Sequence, residues 1–125
     1  MKLRIQGDSL RLRMTQSEVA FLHNFGCVES TILFAPGRVL SYSVASSTDA
    51  AEVSVRYQDG SICVVVPQPV VTAWAEGTEV TVEGSGDSGV QVLVEKDFQC
   101  LHKPEERDPE AYPHPLAAVK KRSAG

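Results

Sequence analysis

Apolar and polar residues alternate along most of the chain, with the two-residue period of strands that bury one face. Leu3 and Ile5 alternate with Lys2 and Arg4, and Leu10, Leu12 and Met14 alternate with Arg11 and Arg13. Gly7-Asp8 stands between these runs as a two-residue hairpin signal. Thr15-Gln16-Ser17-Glu18 follows. Thr with Glu three positions later is a capping box, in which the two residues satisfy each other's free amides at a helix start. At about 100° per residue, Val19, Phe21, Leu22 and Phe25 fall within one arc of roughly 160° and predict one buried helix face. Gly26 is placed to end that helix in the left-handed conformation. Val28–Phe34 and Arg38–Val44 then read as strands joined at Pro36-Gly37.

After a small polar linker, Ser46–Ala50, the pattern restarts. Val53, Val55 and Tyr57 alternate with Ser54 and Arg56, and Asp59-Gly60 is a strong hairpin turn. Ile62–Val66 is a β-branched run. Pro67 and Pro69 open a short helix carrying Val70, Val71 and Trp74, which Gly77 closes. Glu79–Glu83 and Val90–Lys96 read as the last strands, with the loop Gly84–Gly89 between them.

Lys2–His23 laid over Ser54–Ala75 matches Arg4 with Arg56, Gln6 with Gln58 and Ser9 with Ser61. Gln16 also meets Gln68, and Val19 meets Val71. The apolar positions, turns and helix coincide as well, which points to an internal repeat. The plainer explanation is that any two hairpin–helix segments look alike. The fold class expected is a β-rich α+β domain over residues 1–98, made of two ββαββ repeats, 2–45 and 53–97. They would form a curved antiparallel sheet or an eight-stranded barrel, with two short helices; closure would remove exposed sheet edges. Residues 99–125 hold four prolines and mixed charges without a period, and read as an extended, partly disordered C-terminal tail.

Leu10-Arg11-Leu12-Arg13-Met14-Thr15-Gln16-Ser17-Glu18-Val19, within Leu3–Val19, resembles a family of small uncharacterised bacterial proteins. So does Val92-Leu93-Val94-Glu95-Lys96-Asp97-Phe98-Gln99-Cys100-Leu101, followed by an acidic stretch and Tyr112-Pro113-His114-Pro115. The resemblance covers nearly the whole chain. It implies a bacterial single-domain protein of unknown function, and supplies neither a reaction nor a ligand.

At 125 residues the chain is long enough for one self-sufficient core. A net charge of −4 argues against non-specific binding to nucleic acid or anionic membrane. The longest apolar run, Ile62–Val66, is far too short to span a bilayer, and Met1–Ile5 has no leader-like apolar region. Cys27, Cys63 and Cys100, odd in number and widely spaced, make a poor disulfide framework. A reducing, cytoplasmic setting is the expectation.

Three constellations carry candidate chemistry. A two-residue turn at Gly7-Asp8 sets Arg4 opposite Arg11 and Lys2 opposite Arg13. Like charges across a hairpin repel, so something negative belongs among them. It is either a carboxylate such as Glu29, Glu52, Glu83 or Glu95, or a bound anion gripped by Lys2, Arg4, Arg11, Arg13 and Arg56. The triphosphate-tunnel enzymes combine a barrel with such charges, but their first-strand signature of alternating glutamates followed by lysine is absent. Glu95 and Asp97 share one strand face and could act as an acid–base pair, or simply mark a solvated rim. Cys100 and His102 could ligate a metal with tail carboxylates, or be a packed thiol in a solvated tail.

No phosphate loop, nucleophile elbow or paired-cysteine motif is present, and the sequence leaves any cofactor unknown. The sequence leans towards a non-catalytic binding or accessory module, with an anion- or phosphate-binding barrel and a metal site as alternatives and enzymatic use left open. A homodimer through the doubly apolar strand Ile62–Val66 is one assembly this allows.

Overall fold

Each hairpin forms around its turn signal in the computed structural model, which describes residues 1–86 and 88–98. Strands β1 (Lys2–Gln6) and β2 (Ser9–Met14) meet at Gly7-Asp8, β3 (Cys27–Ala35) and β4 (Arg38–Ser47) at Pro36-Gly37. β5 (Ser54–Gln58) and β6 (Ser61–Pro67) meet at Asp59-Gly60, where both residues take positive φ, 50° and 76°. That pair of conformations matches the twist of the flanking strands. β7 (Thr81–Ser85) and β8 (Gln91–Lys96) complete the set. β7 lies two residues later than its expected position and takes in Gly84 and Ser85.

Helix α1 (Gln16–Phe25) opens with the predicted capping box. Thr15 Oγ1 accepts from the Glu18 amide, and Glu18 Oε1 accepts from the Thr15 amide. Gly26, at φ 89°, closes it. Its buried stripe is narrower than the periodicity predicts. Val19 and Leu22 face the core, whereas Phe21 and Phe25 lie outward and meet in a tilted pair, with ring centroids 4.7 Å apart and an interplanar angle of 41°. Helix α2 (Gln68–Glu76) has no side-chain cap. Burial of Val71 and Trp74 holds it, and Trp74 Nε1 donates to the Val80 carbonyl at 3.0 Å.

The strands form two separate four-stranded sheets, ordered β1-β2-β8-β7 and β3-β4-β6-β5. This corrects the expectation of one antiparallel sheet or a closed barrel. Hairpin neighbours are antiparallel, but the central pairs, β2 with β8 and β4 with β6, are parallel. The reason lies in the helices. A ten-residue helix spans about 15 Å and packed sheets lie about 10 Å apart, so each helix carries the chain across to the other sheet. The hairpin that follows therefore joins the far sheet. Four strands, β1, β7, β3 and β5, remain edges. β5 and β7 come together without a ladder: Val53 packs where a Cβ on Gly84 would stand, and a Cβ on Gly86 would lie 2.7 Å from Val55 Cγ1. Valine side chains seated on glycine backbone substitute there for a ladder.

The space between the sheets is filled by Leu12, Met14, Val92 and Val94 from one side and Val44 and Val64 from the other. The helices add Leu22, Val71 and Trp74, the last only 2% exposed. Ile62–Val66, the doubly apolar run, is β6, an interior strand flanked by β4 and β5, with Ile62, Val64 and Val66 buried and Cys63 and Val65 half-buried. Residues 99–125 lie outside the described residues, as therefore does the expected tail.

Two predictions follow from the packing and the cap. Trp74→Ala, which empties the largest fully buried site, costs about 3–5 kcal/mol of unfolding free energy in urea titration. Glu18 supports the helix start through its charge. Burial pushes its carboxyl up, but the Met1 ammonium and the Thr15 hydrogen bonds outweigh burial and hold it below the usual carboxylate range. The stabilisation is therefore present above the unfolded-state value of about 4.3 and is lost as pH falls through the lower folded value. The stability gap between wild type and Glu18→Gln, measured by urea titration at several pH values, narrows on acidification.

Candidate functional site

Alternation along β1 and β2 sends Leu10 and Leu12 into the core and Lys2, Arg4, Arg11 and Arg13 outward. The register sets Lys2 opposite Arg13 and Arg4 opposite Arg11, as the tight turn requires. Four cations then share one side of one hairpin, and their repulsion has to be met.

The parallel neighbour β8 meets it. Glu95 stands directly beside Arg13 in the β2–β8 register. Its Oε1 lies 2.9 Å from Arg11 Nε and its Oε2 3.7 Å from Arg13 Nε. Lys2 Nζ lies 3.2 Å from Asp97 Oδ2. Of the carboxylates considered from sequence, Glu95 fills the role, because the crossover places β8 next to β2. Glu95 and Asp97 are thus engaged as counter-ions, on the face where acid–base work was considered. Arg4 donates to Gln6 Oε1 at 3.2 Å and has no carboxylate partner among the described residues. Beside it an open depression of about 200 Å³ is lined by Lys2, Leu3, Arg4, Arg11 and Arg13.

The fifth candidate, Arg56, stands elsewhere. It lies on β5 in the second sheet, opposite Cys63. Cys100 and His102 lie outside the described residues. Among the described residues no three of His, Cys, Asp and Glu gather as a metal site would require. Burial, with Cys63 and Glu29 nearby, pushes the Cys27 thiol up. At neutral pH Cys27 is a protonated thiol and a poor nucleophile. His23 Nε2 lies 3.5 Å from Glu76 Oε1 and links the two helices.

Two surface features escaped the sequence reading. One is the apolar tip of the β3–β4 hairpin, where Leu33 is 68% and Phe34 69% exposed. Its signal was present: Ile32-Leu33-Phe34 breaks the alternation and puts apolar side chains on both strand faces. The other is the nearly uncharged outer face of the second sheet. It depends on which strands become neighbours, and that order is invisible in local periodicity.

The ion pairs predict a salt-dependent effect. Glu95→Gln leaves Arg11 and Arg13 facing Lys2 and Arg4 without their nearest counter-ion. Stability falls by about 1 kcal/mol in low-salt urea titration, and the loss shrinks towards zero near 1 M salt, where the screening length is about 3 Å.

Compared with known families, residues 1–116 match the model of a family of unknown function, DUF7009. No curated protein and no solved structure matches the chain. Among the described residues no helix is long and apolar enough to cross a membrane.

Proposed function

The chain belongs to the DUF7009 family, whose function is unknown, and we propose that it is a non-catalytic binding module built from a duplicated ββαββ unit. The observation that carries this reading is the apolar packing between the sheets. Enzyme sites are concave and exclude water from reacting groups. Here that interior position is occupied by Leu12, Val44, Val64 and Trp74, and the charged side chains stand on an open face. Such a surface is suited to holding a partner and poorly suited to enclosing a substrate.

Duplication is supported by the way the pairings correspond. The element order strand–strand–helix–strand–strand runs twice. Ser9↔Gln91 and Leu12↔Val94 in one sheet have counterparts in Ser61↔Ser41 and Val64↔Val44 in the other. Lys2↔Arg13 likewise corresponds to Ser54↔Val65. A reducing, cytoplasmic setting fits the free thiols Cys27 and Cys63.

A second reading, favoured by Arg4 and its depression, is that the basic face takes an anion. The four cations have two carboxylates, Glu95 and Asp97, as ion-pair partners among the described residues, and Arg4 is paired with neither. Guanidinium groups grip phosphate or carboxylate through paired donors.

Affinity capture with wild type and an Arg4→Glu/Arg13→Glu variant tests the binding-module reading. It predicts a stoichiometric partner held by wild type and released by the variant; equal capture by both contradicts a role for this face. Thermal melting with inorganic phosphate and pyrophosphate tests the anion reading. A ligand bound only by the folded state raises the melting temperature. The expected result is a rise that Arg4→Ala abolishes, and no rise at millimolar ligand ends the reading.

A further inference from the structure

The two sheets differ in what they turn to solvent. On the first sheet, Lys2, Arg4, Arg11, Arg13, Glu83 and Glu95 share the outer side by alternation and register. On the second sheet the corresponding side carries charge at only two positions, Glu29 and Arg56. They stand at the two ends of one row, Glu29–Ser43–Cys63–Arg56, running straight across β3, β4, β6 and β5. Three strand spacings of about 4.8 Å separate them by about 14 Å, too far to pair within one molecule. Neither has an ion-pair partner among the described residues. Between and beside them the face is uncharged, and towards the hairpin tip Leu33 and Val39 extend it with exposed apolar surface.

We propose that this face binds a second copy of the same chain, face to face, with Glu29 of each copy paired to Arg56 of the other. The charge pattern selects that occupant. A twofold axis parallel to the strands, passing between β4 and β6, lays β3 of one copy over β5 of the other. The row then meets itself reversed, so Glu29 falls on Arg56 twice and Ser43 falls on Cys63 twice. Such an isologous contact needs a self-complementary patch, and two opposite charges placed symmetrically about the middle of an uncharged face supply one. Short side chains at Ser43 and Cys63 let the sheets approach to the usual spacing of about 10 Å.

The size of the face sets the strength. Four strands by about seven residues give roughly 19 Å by 24 Å, or on the order of 450 Å² per copy, against about 800 Å² per partner in a standard interface. The dimer is therefore a weak, transient one. It leaves the basic face of the first sheet free, so it does not depend on what that face holds.

Sedimentation of the full chain from micromolar to millimolar concentration tests the proposal. Wild type is expected to pass from monomer to dimer. Glu29→Arg and Arg56→Glu, each setting like charges opposite one another, are expected to weaken the dimer about tenfold or more. The Glu29→Arg/Arg56→Glu double variant restores the pairing with signs exchanged and is expected to return to within about threefold of wild type. Both residues are exposed, so melting temperatures of all four proteins at low concentration should agree. Alkylation of Cys63 gives an independent readout: it slows as wild type is concentrated and does not slow for Glu29→Arg. A wild type that stays monomeric throughout overturns the proposal. So does a dimer unchanged by the single reversals, which would place the contact elsewhere, for instance along the β3 edge, or a double variant that fails to recover.

Discussion

Burial of the apolar side of four central strands against one another is the constraint on which the rest of the structure depends. β2 and β8 present Leu12, Met14, Val92 and Val94 to Val44 and Val64 on β4 and β6. Sheets that bury one face in this way must leave the other to water. The polar chemistry of the chain is therefore displaced to the outside, and the helices are confined to joining one sheet to the other. Val71, Trp74, Val19 and Leu22 extend the same core rather than forming one of their own.

The crossovers also decide which charges become neighbours. β1 and β2 would carry a self-repelling row wherever they were placed. The parallel docking of β8 brings Glu95 alongside Arg11 and Arg13, and the chain just past β8 brings Asp97 to Lys2. Pairs of this kind, partly open to solvent, contribute little singly. Together they neutralise what the hairpin alone could not tolerate, while Arg4 keeps its donors free of a carboxylate. The second sheet answers the same geometry with uncharged residues, so two similarly built surfaces differ in what they can bind.

Local physics was legible in the sequence and long-range order was not. Thr15 and Glu18 announced the start of α1, Gly26 its end, and Asp59-Gly60 the turn between β5 and β6, because each acts within a few residues. The opposition of Arg4 to Arg11 was equally plain, since a two-residue turn fixes register. The partner of β2 was not readable, because alternation says which side of a strand is buried but not which strand lies beside it. A chain of sequential hairpins suggested one continuous sheet or a barrel; the helices, by crossing, produced two sheets with parallel centres. Phe21 and Phe25 were misassigned to the core for a related reason, as an apolar arc gives a direction but not its width. Phe25 is 74% exposed.

Because β2 pairs with β8 and β4 with β6, each half of the chain contributes to both sheets, and neither half can be folded while the other is open. Native-state hydrogen exchange tests this interleaving most directly. The account predicts that the amides of β2, β4, β6 and β8 exchange only through one global opening, with a common free energy and a common denaturant dependence. Two distinct values, one shared by residues 2–45 and another by residues 53–97, would mean that the halves unfold separately and would contradict it.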